Sequence, residues 1–279
     1  MTQDTTVASL LAQAVGRFKD ATVGGVAALD IQLLLAHVLA TGRSWLLAHP
    51  EHPVSNAECE GFWKLLRRRS AGEPLAYLTG RREFWSLELM VNRDVLIPRP
   101  ETELLVERAL ALRTAPTGRV ADLGTGSGAI AIAIARERPR WQLLASDNSA
   151  AALAVAQANA LALGAHIEFR QGDWYTPLAG ERFDLLLSNP PYVAADDPAM
   201  QALQHEPRLA LTPGRDSLAC LRILAHGAAQ HLNPGGWLIL EHGAGQGAQL
   251  RDELVLAGLR HVTSHRDLAG RERITEGQQ

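Results

Sequence analysis

The pattern of apolar and polar positions divides the chain into a helical first part and a later part of alternating strands and helices. In the first 70 or so residues apolar side chains recur at helical spacing. Apolar positions of this kind are Val7, Leu10, Leu11, Ala14, Val15 and Phe18, then Leu29, Leu33, Leu35 and Leu39 between Val26 and Ala40, and Trp45-Leu46-Leu47. Ser55-Asn56-Ala57-Glu58 has the pattern of a capping box and predicts a helix that continues to Arg69. Together these elements predict a small helical bundle.

From Arg119 onward, short apolar runs alternate with helical patterns. The predicted strands are Arg119–Leu123, Gln142–Asp147, His166–Gln171, Phe183–Ser188 and Gly236–Glu241. The predicted helices are Ala129–Arg138, Ala150–Leu163 and Leu218–His231. This order is typical of a parallel sheet with right-handed crossovers. Val262–Arg266 and Arg273–Thr275 are expected to complete one edge of that sheet.

A segment with a third pattern lies between the two parts. Arg82–Val91 partly alternates apolar and polar side chains, which predicts a β-hairpin or an edge strand. In Ile97-Pro98-Arg99-Pro100, two prolines hold Arg99 in extended chain. The pattern leaves Arg99 either as an ordinary loop residue or as a positioned anion-binding group. A helix through Leu104, Val106 and Leu110 is predicted to follow.

Composition narrows the function classes. The net charge of –3 argues against a general polyanion binder. Cys59 and Cys220 lie far apart and form no CxxC pair, so the sequence predicts neither a disulfide framework nor a metal site. The sequence shows no secretory leader and no apolar run of about 18 residues, and we therefore expect a cytoplasmic protein without membrane association.

A glycine-rich turn follows the first predicted strand of the sheet. It reads Asp122-Leu123-Gly124-Thr125-Gly126-Ser127-Gly128, and glycines at such a turn let the backbone approach a ligand beside a helix N-terminus. With Ala129 the turn also satisfies the loose dinucleotide fingerprint GxGxx(G/A). Asp147 ends the next strand, where a carboxylate can accept the ribose hydroxyls of either NAD or S-adenosylmethionine. A charge on Asp122 would repel a pyrophosphate and attract the cationic end of S-adenosylmethionine, which favours the latter.

Asn189-Pro190-Pro191-Tyr192 follows the apolar run Phe183–Ser188. In open α/β sheets, ligands bind outside the carboxyl ends of the strands, which places these four residues at the expected site. Asn189 and Pro190 offer carbonyl oxygens that can accept both hydrogens of a planar –NH2 group, and Tyr192 offers a ring to cover it. Hydride transfer has no evident use for this arrangement. The alternative is a strand that simply ends in a Pro-Pro turn.

Asp173-Trp174 follows the third predicted strand of the sheet. Asp173 is a candidate acceptor for an adenine amino group, and Trp174 is a candidate stacking surface for the base. The alternative is a loop aspartate beside a partly buried tryptophan.

The chain resembles the bacterial peptide-chain release factor glutamine methyltransferases over nearly its full length. The resemblance is carried by Leu78-Thr79-Gly80, Glu83-Phe84-Trp85, Ile97 to Glu103, Asp122 to Gly128, Asp147, Asp173-Trp174, Asn189 to Tyr192, Glu206-Pro207 and Glu241-His242-Gly243. It implies a class I S-adenosylmethionine-dependent methyltransferase with a Rossmann-like α/β sheet and a small N-terminal helical domain. The implied organisation is a substrate-docking domain at 1–73, a β-hairpin linker at 74–103 and the methyltransferase domain at 104–279.

The resemblance also implies site residues and a substrate. The substrate would be the glutamine of the Gly-Gly-Gln motif of class 1 release factors. Cofactor contacts are expected from Asp122, Gly124, Thr125, Gly126, Ser127, Gly128, Asp147, Asp173, Trp174 and Asn189. Catalysis is expected from Asn189, Pro190 and Tyr192, and substrate contacts from these three with Pro191 and Arg99. We expect a monomer without stable nucleic-acid binding.

Two other functions remain open at the level of sequence. An enzyme that methylates an exocyclic amino group of DNA or RNA would use the same Asn189–Tyr192 segment on a flipped base. The mildly acidic charge and the lack of an added target-recognition region argue against it. A non-catalytic protein of the same fold would not need the amide of Asn189.

Overall fold

The computed structural model describes residues 5–18 and 26–279. The chain forms two compact units, residues 1–80 and 81–279. Within the described residues, each helix is too short or too polar to cross a lipid bilayer.

The first unit is helical. Its helices are α1 (Val7–Phe18), α2 (Ala28–Val38), α3 (Arg43–Ala48), α4 (Asn56–Ser70) and α5 (Leu75–Thr79). The predicted capping box at the start of α4 is confirmed: Ser55 Oγ accepts from Glu58 N at 3.3 Å, and Ser55 N donates to Glu58 Oε2 at 2.8 Å. Leu78 of α5 packs into the same buried apolar cluster as Phe62 and Leu66. The first unit therefore includes α5 and ends at Gly80.

The arginines at the end of α4 pair within this unit. Arg68 binds Glu73 through two hydrogen bonds of 2.8 Å, and Arg69 binds Asp30 at 2.8 Å. These two ion pairs hold Arg68 and Arg69 within the first unit, at a helix C-terminus that favours cations.

The second unit begins with a hairpin and continues as alternating strands and helices. Its helices are α6 (Glu103–Leu112), α7 (Ala129–Glu137), α8 (Ala150–Ala162), α9 (Ala199–Ala202), α10 (Arg208–Leu211), α11 (Ala219–His231) and α12 (Gly247–Leu256). Its strands are β1 (Arg81–Phe84), β2 (Leu87–Met90), β3 (Arg119–Leu123), β4 (Gln142–Asp147), β5 (Ile167–Gln171), β6 (Phe183–Ser188), β7 (Leu232–Glu241), β8 (Arg260–Arg266) and β9 (Glu272–Gln278). The predicted hairpin is confirmed as the antiparallel pair β1–β2.

The hairpin is tied to the α/β layer by a buried amide on α8. Asn159 Oδ1 accepts from Met90 N at 2.7 Å, and Asn159 Nδ2 donates to the carbonyls of Met90 and Ser127, both at 2.9 Å. Asn159 is buried, so these bonds satisfy polar groups that are shielded from water. One side chain therefore connects strand β2 to the glycine-rich turn after β3.

The sheet has the strand order β5-β4-β3-β6-β7-β9-β8. Strands β3 to β7 pair in parallel, as predicted, and β9 pairs antiparallel with both β7 and β8. Strand β9 runs further than the predicted Arg273–Thr275, because ladders on both sides extend it through polar residues to Gln278. Strand β7 begins earlier than the predicted Gly236, because Leu232 already pairs with Phe183 before residues 233–236 bulge out of register.

Both faces of the sheet are buried. Val120, Leu185 and Leu187 pack into an apolar cluster with α6 and α7, whereas the alternate residues Ala121 and Leu186 pack into another with α11 and α12. Such double coverage explains why the parallel strands read as continuous apolar runs. Polar side chains at their carboxyl ends are therefore concentrated at one edge, where the site lies.

Candidate active site

A cavity of about 500 Å³ lies at the carboxyl ends of the parallel strands. Most of its lining residues follow neighbouring strands, and the others belong to two further segments of the chain. The lining includes Thr102, Gly124, Thr125, Gly126, Ser127, Asp147, Asp173, Trp174, Asn189, Pro191 and residues 207–210. Because β4, β3 and β6 are adjacent, their ends deliver Asp147, the glycine loop and Asn189 to one place. The edge predicted from the sequence therefore carries a cavity.

The glycine loop passes across the end of β4. Gly124 N and Thr125 N donate to Ser146 O at 2.8 and 2.9 Å. Gly126 has a φ of +57°, and a Cβ built there would meet nothing within 4 Å, so the loop presents open space at this point. At Gly128, with a φ of +83°, a Cβ would lie 2.9 Å from Ile132 Cδ1 and 3.2 Å from Ala156 Cβ. Gly128 thus allows helices α7 and α8 to pack closely beneath the loop.

Asp147 connects the glycine loop to the start of α8. Its Oδ2 accepts from Gly126 N at 2.9 Å, and its Oδ1 accepts from Ser149 N at 2.9 Å. Burial raises the pKa of Asp147, while these backbone donors lower it. Each carboxylate oxygen still has a lone pair, and the residue lines the cavity, so hydroxyl groups of a ligand can bind here.

Asp122 occupies a different position from the one the charge argument assumed. It is fully buried behind the loop, and its Oδ2 accepts from Thr125 Oγ1 at 2.6 Å. Burial raises the pKa of Asp122 to about 7. Burial therefore favours the neutral form of this carboxyl, which repels an anion less than an exposed carboxylate would. The case against a pyrophosphate then rests on the rest of the cavity.

Trp174 adopts an unusual backbone conformation beside the glycine loop. Its φ is +41°, which a bulky side chain rarely adopts. A Cβ built at Gly124 would lie 3.6 Å from Trp174 Cζ3, so the ring covers the loop at this glycine. Strained backbone of this kind clusters at ligand sites. Asp173 and Cys220 both line the cavity, and the pKa of Cys220 is raised to about 11 by burial and by the charge of Asp173.

The Asn189–Tyr192 segment divides between the cavity and the core. Asn189 and Pro191 line the cavity, and Asn189 Nδ2 donates to Thr102 Oγ1 at 3.2 Å. Pro190 is buried. Tyr192 packs against the apolar cluster of α11 and α12, and its hydroxyl donates to Glu241 Oε1 at 3.1 Å. Burial raises the pKa of Tyr192, with a further contribution from the charge of Glu241.

Arg99 forms an ion pair with the buried Glu206. Glu206 Oε2 also accepts from Ile97 N at 3.1 Å. The pair therefore holds the segment that precedes α6 against the loop that continues into residues 207–210 of the cavity wall. The substrate contact expected of Arg99 stays a prediction.

Three residues that sequence reasoning did not place in the site contribute to it. Thr102 Oγ1 accepts a hydrogen bond from the Asn189 amide, and Glu241, at the end of β7, accepts one from the Tyr192 hydroxyl. Gln246 Nε2 donates to the backbone carbonyl of Tyr192 at 3.1 Å. For Glu241 the sequence did carry a signal, because this glutamate ends an apolar strand at the same edge as the other site residues.

Comparison with known proteins gives a family for this arrangement. Residues 9–80 match the PrmC N-terminal domain, and residues 100–254 match the methyltransferase small domain. The release factor glutamine methyltransferase of Xylella fastidiosa is 53% identical over 252 residues, which cover 89% of this chain and 92% of that protein. The chain belongs to the release factor glutamine methyltransferase family.

A second member of the release factor glutamine methyltransferase family, from Escherichia coli, is 43% identical over 251 residues, covering 89% of this chain and 91% of that protein. Among solved structures, the hMettl16 catalytic domain superposes with a TM-score of 0.58 at 19% identity, covering 75% of this chain and 81% of that chain. The superposition supports the class I methyltransferase fold, and family membership identifies the chain as a methyltransferase. The alternative of an enzyme that methylates an amino group of DNA or RNA is not favoured by these relatives, and neither is a non-catalytic protein.

Proposed function

We propose that this protein methylates the side-chain amide nitrogen of the glutamine in the Gly-Gly-Gln motif of class 1 peptide chain release factors. Two relatives that carry the corresponding name match most of the chain at 53% and 43% identity. The observation that carries the proposal is the state of Asn189: its Nδ2 is engaged by Thr102, and no hydrogen bond within the described part of the chain occupies its Oδ1. An amide acceptor at the cavity is what a primary amide substrate needs.

S-adenosylmethionine is the methyl donor in this proposal, and the residues along the glycine loop fit it. Open space at Gly126 admits a ligand, Asp147 offers acceptors for ribose hydroxyls, and Trp174 offers a ring for the adenine. Asp173 is the proposed acceptor for the adenine amino group. When bound, S-adenosylmethionine supplies an electrophilic methyl group on a cationic sulfur.

The chain's own residues then act on the glutamine. An amide nitrogen is a poor nucleophile because its lone pair is delocalised into the carbonyl. Asn189 Oδ1 and the Pro190 carbonyl accept hydrogen bonds from its two N–H groups. These bonds orient the nitrogen and stabilise the positive charge that develops on it. The nitrogen gains a methyl group and loses one proton, which is acidic once the charge has developed and passes to water. Tyr192 supports this segment from the core side.

The remaining parts of the proposal concern the partner. The first unit, residues 1–80, is proposed to hold the release factor, and the protein is proposed to act as a monomer in the cytoplasm without stable nucleic-acid binding. Arg99 is proposed to contribute to the substrate side through the loop that its ion pair with Glu206 fixes.

The function is tested with S-adenosylmethionine carrying a labelled methyl group. We expect label in an intact class 1 release factor, located by mass spectrometry on the Gly-Gly-Gln peptide, and none in a release factor whose motif glutamine is replaced by alanine. DNA and RNA are offered as alternative substrates in separate reactions. Label in the nucleic acid, or label in the release factor whose motif glutamine is replaced, would contradict the proposal.

A further inference from the structure

Two consecutive prolines leave residues 189–192, here called the proline span, with few ways to be held in place. Neither proline has a backbone N–H to donate, and the ring of each fixes its φ near about −65°. The proline span is therefore stiff and depends on its two ends. At its start, Ser188 is part of β6 and pairs with Leu240 of β7. The direction of the Pro190 carbonyl then depends on how Tyr192, at the other end, is held.

Tyr192 is held through both its hydroxyl and its backbone carbonyl. The hydroxyl donates to Glu241 Oε1 at 3.1 Å, and the carbonyl accepts from Gln246 Nε2 at 3.1 Å. Both partners belong to residues 241–246, which lie between the end of β7 and the start of α12 and are here called the β7 turn. Strands β6 and β7 are neighbours in the sheet, so the β7 turn lies beside the proline span.

The orientation of the Gln246 amide is fixed by a group that can only donate. Gly243 N donates to Gln246 Oε1 at 2.8 Å, and a backbone N–H has no lone pair to offer in return. Nε2 is therefore the end that faces the Tyr192 carbonyl, and it also donates to Ser217 O at 3.4 Å. One side-chain amide thus connects the β7 turn, the proline span and the residues before α11.

The β7 turn is itself firmly held. His242 Nδ1 donates to Gly243 O at 2.9 Å, since a carbonyl can only accept. His242 Nε2 lies 2.8 Å from Oγ1 of Thr275 on β9, and both of these residues are buried. A Cβ built at Gly243 would lie 3.1 Å from Gln246 Oε1, so a side chain there would crowd the amide. The turn therefore presents Gln246 from a base that is anchored to β9.

We propose that Gln246 is a positioning residue for methyl transfer: its amide holds the Tyr192 carbonyl and thereby fixes the direction of the Pro190 carbonyl, which accepts from the substrate amide. The inference rests on the proposed function, because it concerns how the acceptors of that reaction are held. Gln246 is not among the residues that line the cavity, so it acts through the proline span. The position requires a donor, because a lone pair that faced the Tyr192 carbonyl would repel it.

The test in the full-length protein replaces the donor by an acceptor of the same shape. In Gln246→Glu, the ionised carboxylate can still accept from Gly243 N, but it turns a lone pair toward the Tyr192 carbonyl. A carboxylate is favourable at the N-terminus of α12, which favours folding of this variant. At about pH 8 we expect kcat for release factor methylation to fall about ten- to a hundredfold, as for displacement of a positioning group, with the Kd for S-adenosylmethionine within about twofold of wild type.

Gln249→Glu is the matched control for the added charge. Gln249 is exposed on α12, one turn away from the site of the test substitution. It gains the same negative charge without facing the Tyr192 carbonyl, so its kcat should equal that of the wild type. An equal loss of kcat in Gln249→Glu and Gln246→Glu would show that charge alone is responsible and would overturn the inference.

Acid should restore the activity of Gln246→Glu, which a purely structural defect would not show. A protonated carboxyl can donate to the Tyr192 carbonyl while its other oxygen still accepts from Gly243 N. The kcat of Gln246→Glu relative to wild type at the same pH should therefore rise at least about threefold from about pH 8 to about pH 5, as the carboxyl gains its proton.

Other titratable and charged groups near the β7 turn are present in both proteins, so the ratio of the two kcat values removes their own titration. These groups are Glu101, Glu241, His242, Arg251, Glu272 and Arg273.

Gln246→Met separates the lost donor from the added charge. Methionine has a similar length but can neither donate nor gain a proton, so kcat should be low with a constant ratio to the wild type across this pH range. A flat ratio in Gln246→Glu, an equal rise in Gln246→Met, or wild-type kcat in either variant would overturn the inference. If Gln246→Glu failed to fold in a thermal melt, the kcat of Gln246→Met would decide: a loss of at least about tenfold supports the inference, and a smaller loss overturns it.

The outcomes separate this inference from the proposed function. If the wild type does not methylate the release factor, the proposed function fails and the inference fails with it. If the wild type is active and Gln246→Met is equally active, the function stands and the positioning role fails.

Discussion

The backbone N–H of Gly126 donates a hydrogen bond of 2.9 Å to Asp147 Oδ2, so the glycine loop and the end of β4 share one carboxylate. The same carboxylate is the proposed acceptor for ribose hydroxyls. Replacement of Asp147 would therefore remove both the proposed ligand contact and the hydrogen bond that holds the loop at Gly126.

We expect Asp147→Ala to weaken S-adenosylmethionine binding by about tenfold to a hundredfold, because hydrogen bonds to a charged group contribute about 1.5–3 kcal/mol. Isothermal titration calorimetry measures the change. Asp94→Ala is a suitable control, since Asp94 also lines the cavity but is exposed, and its hydrogen bonds are local ones to Asn92. Equal affinity of Asp147→Ala and the wild type would rule out the ribose assignment.

Asn189→Ala should nearly abolish methyl transfer while the protein remains folded. Asn189 lies at a strand end and is only partly buried, so its removal affects the bound amide more than the core. A variant that kept more than about a tenth of wild-type turnover would have lost under about 1.4 kcal/mol of transition-state stabilisation, too little for the gripping role. Single-turnover kinetics on the release factor, beside a thermal melt, give both quantities.

Two glycines of the loop should respond differently to alanine. Both have positive φ, which costs an L-residue about 1–2 kcal/mol. At Gly126 an added methyl group meets open space, so Gly126→Ala should lose about this amount of unfolding free energy. At Gly128 the methyl group would press on Ile132 and Ala156, and overpacking adds about 1–3 kcal/mol.

Urea denaturation of the two glycine variants measures this difference. Gly128→Ala should be the less stable protein. Gly126→Ala should instead lose more cofactor affinity than stability, because its methyl group enters the space proposed for the ligand. The reverse order of stabilities would show that close packing of α7 and α8 does not constrain position 128.

A fragment that begins at Arg81 tests the role of the first unit. The glycine loop, Asp147 and Trp174 all lie within residues 81–279, so a folded fragment should bind S-adenosylmethionine with near wild-type affinity. Its kcat/KM toward an intact release factor should fall by at least about tenfold, since docking contacts that position the glutamine would be absent. Circular dichroism checks the fold.

Equal kcat/KM of the fragment and the full-length protein would exclude a docking role for residues 1–80. If the fragment has both a lower melting temperature and a weaker affinity for the cofactor than the full-length protein, the first unit instead stabilises the second.

Local patterns explain what was predictable from the sequence. The capping box at Ser55, the hairpin and the parallel strands follow from spacing within a few residues, and the rule for parallel sheets then places Asp147 and Asn189 at one edge. The structure adds contacts between distant segments. Asn189 and Thr102 are 87 residues apart, and Arg99 and Glu206 are 107 apart. Such pairs depend on how loops cross the sheet edge, which periodicity does not encode. The reduced charge of Asp122 has the same origin, because its burial depends on the packing of the loop over it.

The position of β9 has a consequence for how the second unit assembles. Strand β9 follows β8 in the chain but lies between β7 and β8 in the sheet, so β8 has no sheet partner until β9 has been synthesised. Until then the free edge of β7 exposes unpaired backbone groups of the kind that promote association between nascent chains. Insertion of β9 covers that edge. It also brings the Glu276 carboxylate to the guanidinium of Arg108 in α6, which donates two hydrogen bonds of 2.9 and 3.1 Å. Closure of this side of the sheet therefore waits for β9, and the edge of β7 stays open until that strand has been made.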